Sequence, residues 1–316
     1  MRRIISFVAA VAMLAGAASC QRESVAGKEA KAVFNVVVPQ ESATKADVSD
    51  GSVVDKLYYE VYVGQSLMYE GEVAPQGTTN PRTFSLEISL VKGITYDILF
   101  WAQKESQTCY DLSNGLKQIM VTYGGNANDE TRDAFYGSCK NFQLSDSPTE
   151  VYLTRPFAQI NFGSKETTDW ATALPFMENA DGTISLLSKI EIPELPTCFN
   201  VYAGDIVSGY TATNLVFDYS AAPATWANYG SDINHNNETY KRVLMNYVLA
   251  SKLGNQLTQV KAYFKHNFNA QSPLEQTVLQ VPVRQNYRTN ILGNVFTAGN
   301  EFTIIVSPGF TDDYIL

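Results

Sequence analysis

The sequence predicts an all-β fold made of two tandem antiparallel β-sandwich domains with one or two short helices. Its 316 residues are 45% hydrophobic, which is enough for about two domains with cores of their own. Tyrosine and phenylalanine are abundant and charged residues make up only 17%, a composition that favours strands over helical bundles. Apolar and polar residues alternate in many short segments, and this spacing is typical of a Greek-key sandwich rather than a parallel sheet.

Residues 1–19 have the pattern of a secretory signal peptide. Two arginines precede an apolar run from Ile4 to Gly16, which is too short to span a membrane comfortably. Three small residues then precede Cys20, an arrangement that resembles a bacterial lipobox, although Ala17 stands where leucine is usual. The resemblance implies cleavage before Cys20 and acylation of that residue, so that lipid holds the protein on a membrane. Ordinary signal cleavage beside a chance cysteine is the alternative.

The N-terminal domain is predicted at residues 32–155, behind a flexible polar tether at residues 20–31. Its first strand, 32–39, has apolar side chains on both faces. One face carries Phe34, Val36 and Val38, and the other carries Val33 and Val37. A polar loop follows, in which Lys45 is an isolated basic residue. Further strands are predicted at 57–63, 67–73, 84–90, 94–101, 118–123, 134–144 and 150–154, of which 94–101 is expected to be central because both its faces are apolar.

Pro156 interrupts a long strand signal and marks the predicted boundary, so the C-terminal domain covers residues 156–316. One helix signal occurs at 164–171, with Ser164 as the candidate N-cap. Strands are predicted at 158–162, 184–192, 198–202, 215–219, 242–249, 259–264, 277–283 and 302–306.

Composition and motifs argue against nucleic acid as a partner and against metals, cofactors and catalysis. A formal net charge of −9 would be repelled by phosphate backbones. His235 and His266 lie in polar surroundings and fit exposed loops better than metal ligands. The acidic runs at 126–130 and 311–313 lack the spacing of an EF-hand calcium site. The sequence contains no nucleophile-elbow, phosphate-loop or zinc-protease motif, so we predict neither an enzyme nor a cofactor.

Three cysteines lie beyond Cys20, and an odd number outside the cytoplasm cannot pair completely. Cys109 and Cys139 could form a disulfide if their strands are neighbours, and Cys198 would then be free. Spacing alone does not decide between this disulfide and three free thiols.

Three stretches carry a resemblance to a known family. Residues 281–291 (VPVRQNYRTNI), followed by Gly293, resemble the penultimate-strand signature of the fimbrillins, the type V pilins of Bacteroidales bacteria. Residues 155–161 (RPFAQIN) resemble the segment that opens the fimbrillin C-terminal domain. The lipobox, the first strand and residues 57–62 (LYYEVY) also follow the family's N-terminal order. The resemblance implies two stacked sandwiches of transthyretin-like topology, in a pilus subunit with a role in adhesion.

The resemblance also implies an assembly mechanism. The precursor would reach the outer membrane and the cell surface as a lipoprotein, and a protease would then cut after the first strand and remove that strand with its lipid. A donor strand from the C-terminal end of another subunit would fill the vacated groove, and the product would be a fimbrium. The implied partners are other pilin subunits, together with a host or bacterial surface receptor or glycan that the sequence does not identify.

The implied processing site lies between Lys45 and Ala46, where much of the family has arginine. Lysine at this point implies either a protease that tolerates lysine or an uncut basal subunit that keeps its lipid anchor. The candidate donor residues are Phe302, Ile304 and Val306. Only six residues, 311–316, follow the C-terminal apolar segment, which is short for a donor. If this strand belongs to its own sheet instead, the chain would accept a donor and donate poorly, as suits a tip or minor subunit.

The alternative hypothesis is a surface lipoprotein that binds glycans without forming a filament. Exposed aromatic rings stack on sugars, and Trp226 and Tyr229 lie in a segment rich in Pro, Ala and Asn. Packing of Trp226 against its own domain is the competing interpretation of that residue. Trp101 lies within an apolar strand and is expected in the core.

Overall fold

The computed structural model describes residues 27–39, 50–77, 81–226, 232–267, 271–297 and 301–308. Within these ranges the chain is almost entirely β-structure, and the all-β class predicted from the sequence is confirmed. The strands are β1 (Glu29–Val37), β2 (Lys56–Val63), β3 (Ser66–Val73), β4 (Thr83–Val91), β5 (Thr95–Gln103), β6 (Tyr110–Asp111), β7 (Ile119–Val121), β8 (Phe135–Gln143), β9 (Thr149–Tyr152), β10 (Phe157–Lys165), β11 (Leu186–Pro196), β12 (Cys198–Asn200), β13 (Asp205–Ile206), β14 (Thr211–Ala221), β15 (Asp232–His235), β16 (Glu238–Leu249), β17 (Asn255–His266), β18 (Leu274–Val283), β19 (Tyr287–Gly293) and β20 (Phe302–Pro308). The helical elements are α1 (Ala171–Met177), the π-helical turn Glu166–Trp170 before it, and the 3₁₀ turns Glu130–Arg132 and Pro223–Thr225. Across the described part of the chain, no helix is both long enough and apolar enough to cross a membrane.

The first sandwich consists of two sheets that face each other across one apolar core. One sheet has the strand order β4-β1-β9 and the other has the order β3-β2-β5-β8. β1 is antiparallel to β4 and parallel to β9, while every pair in the four-stranded sheet is antiparallel. Side chains from both sheets interdigitate in this first core, which contains Ala32, Phe34, Val36, Val38, Val54, Leu57, Val61, Phe84, Leu86, Ile88, Leu90, Tyr96, Ile98, Phe100, Ala102, Phe135, Val151 and Leu153.

The second sandwich has the same two-layer construction. Its sheets have the orders β15-β16-β10-β19-β20 and β14-β11-β17-β18. Ile160 and Phe162 of β10 are fully buried in the second core between them. The helix α1 packs Ala173 and Met177 against the same core, so its apolar side closes one part of the sandwich.

Seven strands of each sandwich share one connectivity. In chain order, β1, β2, β3, β4, β5, β8 and β9 correspond to β10, β11, β14, β16, β17, β18 and β19. In both sets the first strand is central, antiparallel to the fourth strand and parallel to the last. The second sandwich has two additional strands, β15 beside β16 and β20 beside β19. In the first sandwich, no described strand pairs with the outer edge of β4 or of β9, the positions that correspond to those of β15 and β20.

A third core joins the two sandwiches. Leu99 and Trp101 of β5 are buried in it, whereas Ile98 and Phe100 of the same strand point into the first core. β5 is thus covered on both faces and lies between β2 and β8, which confirms its prediction as a central strand. A small sheet of order β13-β12-β7-β6 also bridges the predicted boundary at Pro156, because β7 precedes that residue and pairs with β12, which follows it.

Several strand limits differ from the sequence prediction. β1 begins at Glu29 and therefore extends into the segment 20–31 that was predicted as a tether. Polar residues continue the ladder there, since Lys31 forms an ion pair with Glu87 of β4. The strands β6, β13 and β15 were not predicted, because two to four residues are too few to show an alternating pattern.

The helix predicted at 164–171 lies further along the chain, at 166–177, and the prediction of Ser164 as its N-cap is wrong. Ser164 belongs to β10, where the ladders to β16 and β19 still hold the backbone extended. The Ser164 hydroxyl instead donates a hydrogen bond of 2.7 Å to Asp169 Oδ2. The Asp169 carboxylate also accepts backbone N–H groups from Val295, Phe296 and Thr297, so it fixes the turn after β19 against the helical segment.

Candidate functional site: the first strand and its surroundings

β1 fills the centre of the three-stranded sheet. It pairs with β4 over nine residues and with β9 over four, so both of its backbone edges are occupied along Phe34 to Val37. The ladder continues at both ends: Val38 N–H donates to Arg82 O at 2.9 Å, and Leu153 N–H donates to Val37 O at 2.9 Å. Without β1, the edges of β4 and β9 would face each other across an empty slot one strand wide.

One face of β1 seals the first core. Phe34 and Val36 are fully buried, and Ala32 and Val38 are nearly so. The Phe34 ring lies 5.9 Å from that of Phe100 and 5.0 Å from that of Phe142, centroid to centroid. Val33 and Val37 alternate with this set and are half-buried on the other face. This is the alternation that the sequence predicts for the first strand.

The chain returns to the described fold at Asp50, next to the end of β1. Gly51 has a φ of +75°, and a Cβ there would lie 2.8 Å from Val38 Cγ1, so both the backbone conformation and the close approach favour glycine. The Arg82 guanidinium anchors this return by donating to Ser52 O at 2.7 Å. The predicted processing residues Lys45 and Ala46 and the predicted lipidation residue Cys20 lie outside the described residues.

The candidate donor residues lie in the second sandwich, in their own sheet. β20 is antiparallel to β19 over seven residue pairs and occupies the edge of the five-stranded sheet. Phe302 and Ile304 are half-buried against the second core, and the Phe302 ring lies 6.0 Å from that of Phe162. Val306 is also half-buried. The structure therefore does not bring these residues together with β1.

Two of the three segments that carry the fimbrillin resemblance, 155–161 and 281–291, are neighbours in the fold. The Gln-Ile-Asn portion of residues 155–161 lies on β10 and is parallel to the Arg-Thr-Asn portion of residues 281–291 on β19. Arg288 donates to Gln159 at 3.1 Å, and Asn161 donates to Asn290 at 2.8 Å, all within the buried interior. Both motifs thus have a structural role, because they hold together the centre of the second sandwich.

Arg155, at the start of the first of these segments, forms a fully buried ion pair with Asp133. Arg155 Nε and Nη2 donate to the two carboxylate oxygens of Asp133 at 2.8 and 2.9 Å, in a bidentate arrangement. The guanidinium also lies over the Phe135 ring at 4.4 Å. Burial raises the pKa of the Asp133 carboxyl, and the Arg155 charge opposes that effect. The pair ties the segment just before β8 to the segment between β9 and β10.

The remaining predicted site residues have no shared location. Trp226 is half-buried against the third core and its indole N–H donates to Ala221 O at 3.0 Å. Tyr229 lies outside the described residues. Cys109, Cys139 and Cys198 are free thiols, so no disulfide joins Cys109 to Cys139. Burial raises the pKa of the Cys109 and Cys139 thiols to about 11, which keeps them protonated and unreactive near neutrality.

An acidic cleft that the sequence did not predict lies on the face of β2 and β3 that points away from the first core. This β2–β3 cleft has a volume of about 580 Å³ and is walled on one side by the segment from Gln103 to Leu116. Its carboxylates are Glu60, Glu70, Glu72, Glu105 and Asp111. Glu60 was a local indication of this cleft. It is the one charged residue inside the apolar run LYYEVYV, at a position where the alternating pattern predicts a buried side chain.

A family model described as "Family of unknown function (DUF6562)" matches residues 23–315. The chain belongs to the DUF6562 family. No curated protein matches this DUF6562 chain.

Solved structures similar to this DUF6562 chain include three fimbrial proteins of Porphyromonas gingivalis. The fimbrilin FimA of strain W83 has a TM-score of 0.49 at 17% identity, over 90% of this chain and 98% of its own. The tip fimbrial protein Mfa3, with a C-terminal truncation, has a TM-score of 0.43 at 11% identity, over 87% and 99%. The fimbrial anchor protein Mfa2 has a TM-score of 0.40 at 9% identity, over 88% and 96%. Fimbrillin-like proteins are therefore among the structures that this DUF6562 chain resembles, as the sequence motifs predicted.

Proposed function

We propose that the protein is a tip or other minor subunit of a type V pilus whose first strand is a removable placeholder. The observation that carries the proposal is the position of β1 at the centre of the sheet β4-β1-β9. All other described strands follow β1 in the chain, so one cut between residues 40 and 49 would separate β1 from the rest of the fold. The corresponding central strand of the second sandwich is β10. Other strands of the fold precede and follow it in the chain, so a single cut cannot separate it from the fold.

Removal of β1 would create a strong site for another strand. Phe34, Val36 and Val38 would leave the first core, at about 1.5–3 kcal/mol for each large side chain. The facing edges of β4 and β9 would also lose their backbone partners, and such edges are templates for strand addition. A precursor that retains β1 would be stable as a monomer, and the cut form would acquire a donor strand from another subunit.

The place of β20 favours an accepting over a donating role. A donor must leave its own fold, and β20 is paired with β19 over seven residues with Phe302 and Ile304 against the second core. Release of β20 would therefore break a ladder and expose apolar surface. This arrangement suits a subunit that receives a strand and seldom gives one.

The proposed cellular route follows from the sequence. Export through the predicted signal, acylation of Cys20 and display on the outer membrane would place the precursor at the cell surface. Cleavage after Lys45 would then release the fold from its lipid. An uncut chain would remain anchored and would instead serve at the base of the filament.

The test uses the chain from residue 21 with a specific protease site built into residues 42–48. After cleavage, the protein is incubated with an excess of a fluorescent peptide of residues 29–39, and uptake is measured by size-exclusion chromatography. We expect uptake by the cut protein and none by the uncut protein, because only a cut β1 can leave the slot. Peptide variants with Phe34→Lys or with the outward change Val33→Lys are the matched pair, and only the first should fail to bind, because Val33 lies on the outer face opposite Glu87 of β4. Equal uptake of both variants, or no uptake, would contradict the proposal.

A further inference from the structure

The first sandwich lacks a strand that the second sandwich has. β15 pairs with β16 in the second sandwich, whereas β4, which corresponds to β16, has no described strand on its outer edge. β15 comes from the connection between β14 and β16, residues 222–237. The connection between β3 and β4, residues 74–82, is shorter, and no described strand lies in it. A strand on this edge of β4 would therefore have to come from outside that connection.

The backbone groups of β4 point alternately toward β1 and toward the outer edge. Val38 N–H donates to Arg82 O at 2.9 Å at one end of the β1–β4 ladder. At the other end, Lys92 N–H donates to Lys28 O at 3.2 Å. In an antiparallel pair every second residue bonds to the neighbouring strand, so the even-numbered residues of β4 bond to β1. The N–H and C=O groups of its odd-numbered residues point outward.

The outer edge of β4 is capped at both ends. At its start, Thr83 O accepts a hydrogen bond from Gln76 N–H at 2.7 Å. At its end, Val91 N–H donates to the Tyr96 hydroxyl at 2.9 Å. Both caps come from this chain, so they limit the length of any strand that could be added between them.

Three outward-facing residues lie between the caps, and we call Ser85, Glu87 and Ser89 the β4 window. No residue in the described part of the chain bonds to the outward N–H and C=O groups of the window. Ser85 is half-buried, and Glu87 and Ser89 are exposed. An open row of backbone donors and acceptors is a template for strand addition. Since β15 has only four residues, a segment of about that length is sufficient.

The charge at the centre of the window favours a basic residue in the added strand. The Glu87 side chain is 52% exposed and forms an ion pair with Lys31 of β1 on one side. The equivalent pair in the second sandwich places opposite charges across the strands, because Asp232 of β15 lies opposite Lys241 of β16 and binds it at 2.9 Å. A lysine or arginine opposite Glu87 would reproduce this arrangement, and an acidic residue there would be repelled.

The facing sheet favours apolar residues at the alternate positions of the added strand. β3 of that sheet approaches β4, and its residues Leu67, Met68 and Tyr69 are 42–46% exposed. Tyr69 lies opposite Val61, whose side chain is in the first core, so the Tyr69 ring points to the side on which β4 lies. Apolar side chains of an added strand would point to the same side and cover part of this surface.

We propose that the β4 window binds an extended segment of another protein, antiparallel to β4, with lysine or arginine opposite Glu87 and apolar residues opposite Leu86 and Ile88. The C-terminal residues of a second copy do not suit this edge, because residues 309–316 contain two aspartates and no basic residue. The window lies on the edge of β4 away from β1. Binding there therefore does not depend on removal of the first strand.

The experiment uses the uncut chain from residue 21, in which β1 fills its own slot, and measures the fluorescence anisotropy of labelled peptides. The first probe is the peptide GTVKVTG, which can place lysine opposite Glu87 and a valine on either side of it. The second probe has glutamate in place of the lysine. We expect the lysine probe to bind at least about threefold more tightly than the glutamate probe, and Glu87→Lys to reverse that order. Glu194→Lys makes the same charge change at an exposed position of β11 and should leave the order unchanged.

Methylated probes test the backbone hydrogen bonds without any change to the protein. N-methylation of the lysine removes the N–H group that would bond to Glu87 O, whereas N-methylation of a neighbouring valine alters an N–H group that points away from β4. The first change should weaken binding at least about tenfold, and the second should have a much smaller effect.

The proposal is overturned if no probe binds at millimolar concentration, if Glu87→Lys leaves the order of the two probes unchanged, if Glu194→Lys changes that order as much as Glu87→Lys does, or if the two methylated probes bind equally. A peptide of residues 309–316 is also measured. Tighter binding of that peptide than of the lysine probe would assign the edge to a second copy and would overturn the choice of partner.

Discussion

Arg155 and Asp133 show how a single residue gains a role that its sequence context conceals. The sequence marks Arg155 as the residue before a strand-breaking proline and as the first residue of the segment RPFAQIN. In the fold it is fully buried, with both of its hydrogen bonds to Asp133 below 3 Å. Its partner is 22 residues earlier and lies just before β8, and no local pattern connects the two. Pairings of this kind are set by the packing of strands and cannot be read from periodicity.

Arg155→Met should destabilise the protein by about 3–5 kcal/mol, because it leaves the Asp133 carboxylate buried without its charge partner. Chemical denaturation of the chain from residue 21 measures the change. The double variant Arg155→Met/Asp133→Leu should regain most of the loss, since two apolar side chains leave no buried charge. A single variant as stable as the parent, or a double variant less stable than the single one, would contradict this assignment.

At the scale of elements, β1 is held chiefly by one face. Phe34→Ala should lower the free energy of unfolding by about 3–5 kcal/mol, the usual range for a buried phenylalanine. Val33→Ala on the opposite face should cost only about 1 kcal/mol, because its two methyl groups are half-buried at about 0.8 kcal/mol each. Equal losses for the two variants, measured by thermal or urea unfolding, would mean that β1 does not seal the first core.

Long strands with strict alternation were predictable, and short or context-dependent ones were not. β4 alternates over its nine residues, and β5 was predictable because both of its faces are apolar; the structure places both within two residues of the predicted limits. β6 and β13 have two residues each and exist because the small sheet pairs them. The helix start could not be predicted from Ser164, because the β10 ladder extends past it. The cleft was missed because its parts come from β2, β3 and a loop about 45 residues away, so that only Glu60 gave a local signal.

At the scale of the whole molecule, the two sandwiches should unfold together. The third core takes Trp101 from one half and Tyr247 from the other, and β7 pairs with β12 across the predicted boundary. We expect a single calorimetric transition, and Phe34→Ala in the first core and Phe162→Ala in the second should each shift that whole transition to lower temperature. Two transitions that move separately would show that the halves are independent.

The strand β2 borders two separate compartments of the protein. Leu57 and Val61 face the core that β1 closes, and the intervening residues Tyr58 and Glu60 form the floor of the acidic cleft on the reverse side. Only the thickness of one sheet separates them. Any shift of that sheet on exchange of the first strand would therefore also change the shape of the cleft, because close-packed layers transmit such shifts. Joining of subunits on one face of the sheet would then alter a surface on the other face of the same subunit.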